Sequence, residues 1–371
     1  MASSTTDPHL VIAGGGTGGH LFPGIAVADE FVHRCPGARV TFVGTESGIE
    51  ARVVPELEHE LELVNITPLK GGSVARRAAS LLRLPGSGWR ARRLLRRLQP
   101  AAVVSVGGYA AGPVTLVAAL SGIPTALMEQ NSYPGLTNRL LSRVVDHGFL
   151  TFEDSASHFG SLPTSVPGNP VRKDLLDMAD SFEYTPPKKG AAFHILIIGG
   201  SGGAGSFNQT IPIWLSSMGE LTSRIHVRHQ AGRNRSEEVV PHYRDFEGEA
   251  QVVEFIDDMT EAYRWCDLLI CRAGASTIAE VLNLGIPAIY VPFPHAADDH
   301  QRANARSIVE AGAGVMIDDS ELDSDRARNL LTGFMNNPQA LANLAARARS
   351  MARPDAGADI ADHLRQMCQC C

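Results

Sequence analysis

Two glycine loops, 186 residues apart, constrain this chain more than any other feature. Each follows an apolar, β-branched run. In the first, Leu10-Val11-Ile12-Ala13 stops at Gly14-Gly15-Gly16-Thr17-Gly18-Gly19-His20, and Ile25 to Val32 then has helical spacing. In the second, His194-Ile195-Leu196-Ile197-Ile198 runs into Gly199-Gly200-Ser201-Gly202-Gly203-Ala204-Gly205. Gly14, Gly16 and Gly19 keep the G-x-G-x-x-G spacing, and Gly200, Gly202 and Gly205 repeat it. Glycine at a strand-to-helix turn lets backbone N–H groups approach a ligand, and the helix N-terminus favours an anion. His20, at the mouth of the first loop, adds a group that titrates near neutral pH. One such loop alone also fits an NAD-binding Rossmann protein, which wants an acidic residue at the end of its second strand to hold a ribose. The candidate strand Arg39 to Val43 ends in Gly44-Thr45, and Glu46 comes late. Two loops this far apart predict an α/β chain of two Rossmann-like domains facing a central cleft, suited to a nucleotide-linked substrate.

The 371 residues suffice for two domains with full cores, and 44% hydrophobic with 20% charged residues is ordinary for a soluble protein. No run of about 18 uncharged apolar residues occurs, so no membrane span is expected. Residues 1–8 have neither a basic stretch nor an apolar core, and read as a disordered lead-in rather than a signal peptide. Further strands are expected at Ala101 to Ser105 and Pro124 to Met128. The organisation reads as a first domain over 9–170, a linker over 171–192 containing Pro186-Pro187, and a second domain over 193–352. A C-terminal segment, 353–371, follows, helical beyond Pro354. Cys35, Cys266 and Cys271 read as reduced core thiols, which suits the cytosol. Cys368, Cys370 and Cys371 read as a frayed tail; no four-ligand zinc set is apparent.

The net charge of −7 hides an asymmetry. From Lys70 to Arg97 there are nine basic residues and no acidic one, among them Arg76, Arg77, Arg83, Arg92, Arg93, Arg96 and Arg97. Leucines and Trp89 are interleaved, and Pro85-Gly86-Ser87-Gly88 is expected to break the element. A basic amphipathic element of this kind suits an anionic membrane surface, each cation contributing about 1 kcal/mol. The alternative is a solvated helix whose leucines pack inward. Nucleic acid is not expected as a partner, because the rest of the chain is acidic and the patch carries no row of stacking aromatics.

From about Leu10 to about Leu364 the chain resembles the bacterial MurG family, UDP-N-acetylglucosamine–N-acetylmuramyl-(pentapeptide) pyrophosphoryl-undecaprenol N-acetylglucosamine transferases. The matching stretches are Gly14 to Gly24 (GGGTGGHLFPG), Gly107 to Pro113 (GGYAAGP), Glu129-Gln130-Asn131 and Gly135-Leu136-Thr137-Asn138. Gly168 to Arg172 (GNPVR), Phe255 to Met259 (FIDDM) and Cys271 to Thr277 (CRAGAST) complete the set. The resemblance implies the GT-B type glycosyltransferase fold, with the last helix crossing back to the N-terminal domain. It implies peptidoglycan precursor synthesis, and with it a part in cell shape and division, at the cytoplasmic face of the inner membrane. Lipid I is the implied acceptor, UDP-GlcNAc the donor and co-substrate, with no cofactor; other cell-wall synthesis proteins are further partners it leaves room for. At 128, 202 and 300 the chain has Met, Gly and His where family members often carry His, Gln and Gln.

Carried over by position, the resemblance places Ser201 at the donor diphosphate and Arg272 beside the nucleotide. Ile256 offers backbone groups to uracil, in a pocket partly built by Phe255. Glu280 accepts from the ribose hydroxyls, on a helix opened by Ala275, Ser276, Thr277, Ile278 and Ala279. Gln301 bonds sugar hydroxyls, Arg172 and Asn131 reach in from the first domain, and Thr17, Gly18 and Gly19 face the donor sugar or the acceptor pyrophosphate. Tyr109 and Glu129 stand on the acceptor side. His20 is the candidate general base that takes the proton of the acceptor's 4-hydroxyl, with His300 as a competing titratable group. No metal is demanded, because helix dipoles and arginine can carry the leaving-group charge. Asp257-Asp258 and Asp298-Asp299 are expected to cap the helices that follow. A related UDP-sugar transferase with another lipid or small-molecule acceptor is the alternative within the class.

Overall fold

The computed structural model describes residues 7–64, 74–108, 110–200 and 202–368, and for 74–85 the backbone alone. The chain divides into two compact units: Met1–Arg172 with Pro354–Cys371, and Lys173–Arg353. The lead-in before Asp7 and the cysteines at 370 and 371 lie outside the described residues.

The first unit is built on seven strands: β1 (His9–Gly14), β2 (Arg39–Gly44), β3 (Glu60–Leu63), β4 (Ala102–Gly107), β5 (Thr125–Glu129), β6 (His147–Leu150) and β7 (Thr164–Ser165). All are parallel, in the order β3-β2-β1-β4-β5-β6-β7. Its helices are α1 (Gly18–Arg34), α2 (Glu50–Glu56), α3 (Val74–Leu98), α4 (Ala111–Leu120) and α5 (Leu136–Leu141). Both faces of β1 are covered, which is why its sequence is continuously apolar rather than alternating. Leu10 and Ile12 pack with Ile25, Ala28 and Phe31 of α1, whereas Val11 and Ala13 pack with Leu94 and Leu95 of α3 and Val114 of α4.

The second unit repeats the plan with β8 (Phe193–Ile198), β9 (Ile225–Gln230), β10 (Glu249–Val253), β11 (Leu268–Cys271), β12 (Ala288–Tyr290) and β13 (Val315–Met316). These six parallel strands run in the order β10-β9-β8-β11-β12-β13. Around them lie α6 (Lys173–Ala179), α7 (Gly205–Ser216), α8 (Ser236–Val239), α9 (Met259–Trp265), α10 (Ala275–Leu284), α11 (His300–Glu310), α12 (Asp325–Asn336) and α13 (Pro338–Ser350). The last helix, α14 (Ala356–Met367), lies in the first unit, where Ile360, Ala361 and Leu364 join the core beside α1.

Three expectations need correction. The stretch read as a linker from 171 contains α6, whose Leu175, Met178 and Ala179 are buried and which packs on α10. The apolar spacing of Leu175, Met178 and Ala179 outweighs the loop signal of the prolines that follow. Pro85 to Gly88 do not interrupt α3, whose backbone is helical from Val74 to Leu98. Cys368 is half-buried and packs against the first core rather than fraying.

Candidate active site

In each sheet the connections change direction between two central strands, β1 and β4 in the first, β8 and β11 in the second. Ligands of open α/β sheets bind beyond the carboxyl ends of such a pair. Both glycine loops sit there.

In the first unit Gly14, Gly15 and Gly16 leave β1 with φ of +130°, +137° and +88°, and Gly107 and Gly108 leave β4 with +91° and +82°. Side chains would also collide: a Cβ on Gly14 would strike the Gly107 carbonyl, and one on Gly108 would lie 2.6 Å from that of Gly15. The two strand ends therefore meet backbone to backbone, the Gly15 N–H donating to Gly107 O at 3.3 Å. Gly16 is exposed, with no atom near its absent Cβ. Thr17 is extended and leads into α1. Its Oγ1 is 3.2 Å from His20 Nδ1, and the imidazole lies flat against Gly107, where a Cβ would be 3.2 Å from Nε2. Thr17 and the bare glycine thus fix the ring at the loop mouth, with Gly18 and Gly19 in the intervening first turn.

Two buried carboxylates frame this loop. Glu129, at the end of β5, is 2% exposed. Its Oε1 accepts from the Asn131 N–H (3.0 Å) and Nδ2 (3.3 Å), and its Oε2 from the Gly135 N–H (3.1 Å) and Asn138 Nδ2 (2.9 Å). Burial pushes its carboxyl above the usual range, against the pull of those four donors. Asn138 Oδ1 accepts from Ser105 Oγ at 3.3 Å, and Ser105 Oγ accepts from the Gly107 N–H at 3.3 Å. Glu129 therefore supports Gly107 under His20 through Asn138 and Ser105, while Asn131 helps to seat its carboxyl. The other carboxylate, Glu50, is missing from the sequence expectations. It is 1% exposed and accepts from the Gly16 N–H (2.7 Å), the Thr45 N–H (2.9 Å) and the Thr45 hydroxyl (3.1 Å). An acidic residue beyond the second strand was the available signal; it comes six residues past Gly44 and turns to the glycine loop. Arg172 closes this unit with its guanidinium 5.6 Å over the Phe22 ring.

In the second unit the Gly203 N–H donates to Gly200 O at 2.8 Å, and a Cβ on Gly232 would lie 2.5 Å from Gly202 O, so the loops after β8 and β9 also pack backbone to backbone. Ser201, like Tyr109 in the first unit, lies outside the described residues. Arg272, at the end of β11, is buried between Phe207 (4.3 Å) and Phe293 (5.5 Å). Its terminal nitrogens donate to Asp319 Oδ1 (2.5 Å), Ser206 Oγ (2.8 Å) and the Val291 (3.2 Å) and Pro292 (3.3 Å) carbonyls. The guanidinium that the resemblance places beside the nucleotide is engaged inside the unit.

Gly274 is extended and opens α10, whose first six residues are Ala275 to Glu280. Ala275, Ile278 and Ala279 are buried, while Ser276, Thr277 and Glu280 are half-buried. Glu280 Oε2 accepts from the Tyr263 hydroxyl at 2.7 Å. Burial and Glu280 both push the phenol well above its ordinary range, so Tyr263 stays a donor. Ile256 is buried beside an exposed Phe255. Gln301 Oε1 accepts from the Phe293 N–H at 2.9 Å, and His300 Nδ1 is 2.7 Å from Ala297 O. Asp258 caps α9 by accepting from the Glu261 N–H at 2.8 Å. Asp299 does not cap α11 with its side chain: Asp298 and Asp299 have φ of 55° and 53°, and Asp299 pairs with Arg302 instead. Among the described residues no three His, Cys, Asp or Glu side chains are grouped to hold a metal ion.

The basic stretch divides by side. Ala91, Leu94 and Leu95 are buried, while Trp89, Arg90, Arg92, Arg93, Arg96 and Arg97 are exposed. Arg93 lies 5.8 Å over the Trp89 ring, and Arg97 donates to Glu62 at 2.7 Å. The side chains of Arg76, Arg77 and Arg83 lie outside the described residues. The α4 helix packs on α3 and on α5. Leu116 and Leu120 of α4, and Leu136 and Leu140 of α5, are 40, 74, 44 and 52% exposed. Each pair is spaced i, i+4 and so shares a helix face. Among the described residues no helix is long and apolar enough to cross a membrane.

Twin parallel sheets, each with a glycine loop at its switch point, define a two-domain glycosyltransferase: residues 10–149 match the glycosyltransferase family 28 N-terminal domain and 194–360 its C-terminal domain. The UDP-N-acetylglucosamine--N-acetylmuramyl-(pentapeptide) pyrophosphoryl-undecaprenol N-acetylglucosamine transferase of Myxococcus xanthus (strain DK1622) is 44% identical over 353 residues, covering 95% of this chain and 91% of that protein. Its Geobacter sulfurreducens counterpart is 42% identical over 358 residues, 96% of this chain and 97% of its own. The chain belongs to the MurG family, and the crystal structure of Acinetobacter baumannii MurG matches it with a TM-score of 0.78 at 31% identity, over 97% of this chain and 99% of that one. A Neisseria meningitidis UDP-GlcNAc 2-epimerase bound to UDP-GlcNAc, 14% identical over 97% of this chain and 100% of its own with a TM-score of 0.68, shares the fold alone.

Proposed function

We propose that this chain moves GlcNAc from UDP-GlcNAc to the 4-hydroxyl of MurNAc in undecaprenyl-pyrophosphoryl-MurNAc-pentapeptide, converting lipid I to lipid II. The observation that carries the reading is His20, set by Thr17 against Gly107 at a glycine-loop switch point of a near-full-length MurG relative. The acceptor oxygen attacks the anomeric carbon as its proton passes to the His20 imidazole. The bond from that carbon to the UDP oxygen breaks, UDP leaves with the electron pair, and one displacement inverts α to β. The first turns of α7 and α10 bear on the departing diphosphate with their N–H groups and dipoles, so no metal is needed. Glu280 takes the ribose hydroxyls, Ile256 the uracil, and Gln301 the sugar. Arg272 acts through Ser206 and Asp319, holding the loop after β11 rather than gripping phosphate.

The acceptor is lipid-linked, and the exposed leucines of α4 and α5, together with the exposed Trp89 and arginines of α3, on which α4 packs, suit docking on an anionic membrane surface. In this reading the enzyme is peripheral and works at the cytoplasmic face. The test is transfer of labelled GlcNAc from UDP-GlcNAc to a lipid I analogue. Wild type transfers, and His20→Ala loses about 10²- to 10⁴-fold in kcat while still binding UDP. Wild-type activity kept by the variant moves the base to another group, His300 first; a wild type without transfer overturns the acceptor.

A further inference from the structure

We propose that Glu50 is a positioning residue: its carboxylate, from behind the first glycine loop, sets where the α1 N-terminus and His20 stand. Three successive glycines with positive φ have little preference of their own and lose much conformational freedom on being fixed. Beyond the β1–β4 ladder, which takes in Gly14, two hydrogen bonds hold Gly15 and Gly16. The one from Gly15 to Gly107 is long at 3.3 Å, whereas that from Gly16 to Glu50 Oε2 is 2.7 Å and charge-assisted. The carboxylate is itself seated by the Thr45 N–H and hydroxyl on Oε1, so both oxygens face donors. Glycine also clears its berth: a Cβ on Gly15, Gly44 or Gly48 would strike the Glu50 side chain. This assignment rests on the proposed transfer reaction and deepens it. The Gly16 N–H points to protein, so recognition of an anion by this loop falls to the turn from Thr17 onward.

Charge and position make opposite predictions here. A negative charge behind an anion-facing loop repels pyrophosphate, so if charge were all that mattered, Glu50→Gln would tighten acceptor binding. If the carboxylate positions the loop, Glu50→Gln must harm it, because the amide NH₂ replaces one acceptor and then faces either the Gly16 or the Thr45 N–H. Glu50→Asp keeps the charge and withdraws it from Gly16, so it harms transfer as well.

The experiment measures transfer kinetics and UDP affinity for wild type, Glu50→Gln and Glu50→Asp, and records the Gly16 amide in a ¹H–¹⁵N spectrum of the full chain. The expected result is a kcat loss of about 10- to 100-fold in both variants, about the effect of one charge-assisted hydrogen bond. UDP affinity stays within about twofold, and the Gly16 amide proton moves upfield as it loses the carboxylate. Wild-type kcat in both variants, an unmoved Gly16 amide, or an equal loss of UDP affinity and kcat overturns the proposal. Should wild type transfer no GlcNAc to lipid I, the acceptor reading fails, and the Gly16 amide shift alone decides whether Glu50 holds the loop.

Discussion

Tyr263 reaches the proposed donor site through Glu280. It is 1% exposed, and its hydroxyl donates to one oxygen of Glu280, which aims that carboxylate. If Glu280 accepts from the ribose, Tyr263→Phe frees the carboxylate to rotate. A hydrogen bond to a charged acceptor contributes about 1.5 kcal/mol or more, so UDP should bind about tenfold more weakly. The preference for UDP over its 2′-deoxy analogue should shrink with it. Calorimetric titration of both ligands measures this, and a preference unchanged in the variant removes Tyr263 from the role. Arg272 is a different case, a buried arginine paired with a half-buried Asp319. Arg272→Ala takes the cation from Asp319, which keeps the Ser206 hydroxyl, and strips the guanidinium from Phe207 and Phe293; it should lower the stability of the second unit by about 2 kcal/mol in chemical denaturation. Loss below about 1 kcal/mol would mean the network is dispensable. Motif order let the sequence single out Glu280 and His20 as candidates. It could not show whether Glu50, Glu129 or Arg272 turns toward ligand or protein, since that depends on which N–H groups and carbonyls the fold brings within 3 Å.

At the scale of elements, the central strands were legible because burial on both faces leaves an unbroken apolar run, as in β1, β4, β5 and β8. The short edge strands β3, β7 and β13 were not: two to four residues carry no period, and neighbours alone define them. In α3 the basic run carries an inward face of Ala91, Leu94 and Leu95, the inward packing of leucines that the sequence offered beside a membrane-facing role. The contact of β6 with α14 was equally invisible in sequence. There His147 stacks on His363 with ring centroids 4.0 Å apart, and burial with that neighbour pushes His147 down to about 4. His229, buried in the second unit, is pushed down to about 4 by burial. The unfolded chain binds protons below about pH 6.5 while the folded one refuses them until about pH 4. Stability from these groups is therefore full above pH 6.5 and is lost progressively as pH falls toward 4. His147→Gln should flatten the acid side of the melting-temperature profile between pH 7 and 5, leaving the slope owed to His229 and to His363, which burial also pushes down. An unflattened profile would put the acid sensitivity elsewhere.

For the whole molecule, the consequential feature is that the first unit is closed by the far end of the chain. After α13 the backbone passes Pro354, and α14 places Ile360, Ala361 and Leu364 in the core formed by β1, β2, β4 and α1. All three are at most 1% exposed. Burying an Ile and a Leu side chain contributes about 1.5–3 kcal/mol each, so α14 supplies roughly 5 kcal/mol to that core. A domain of this size is stable by only about 5–15 kcal/mol. A chain ending at Arg353 should therefore leave the first unit near the edge of unfolding, with the α1 face of Ala26 and Glu30, which Gly357 approaches, exposed where α14 lay. The second unit, whose core is drawn wholly from Lys173–Arg353, should keep its fold and the proposed UDP site. Calorimetry of the truncated chain should show a transition that responds to UDP at nearly its full-length temperature and another that is lowered or lost. UDP at about 100 times its dissociation constant should stabilise the surviving transition by about 2.7 kcal/mol. Two transitions both unmoved by truncation would mean that α14 closes nothing, whereas loss of both would mean that the two units fold as one.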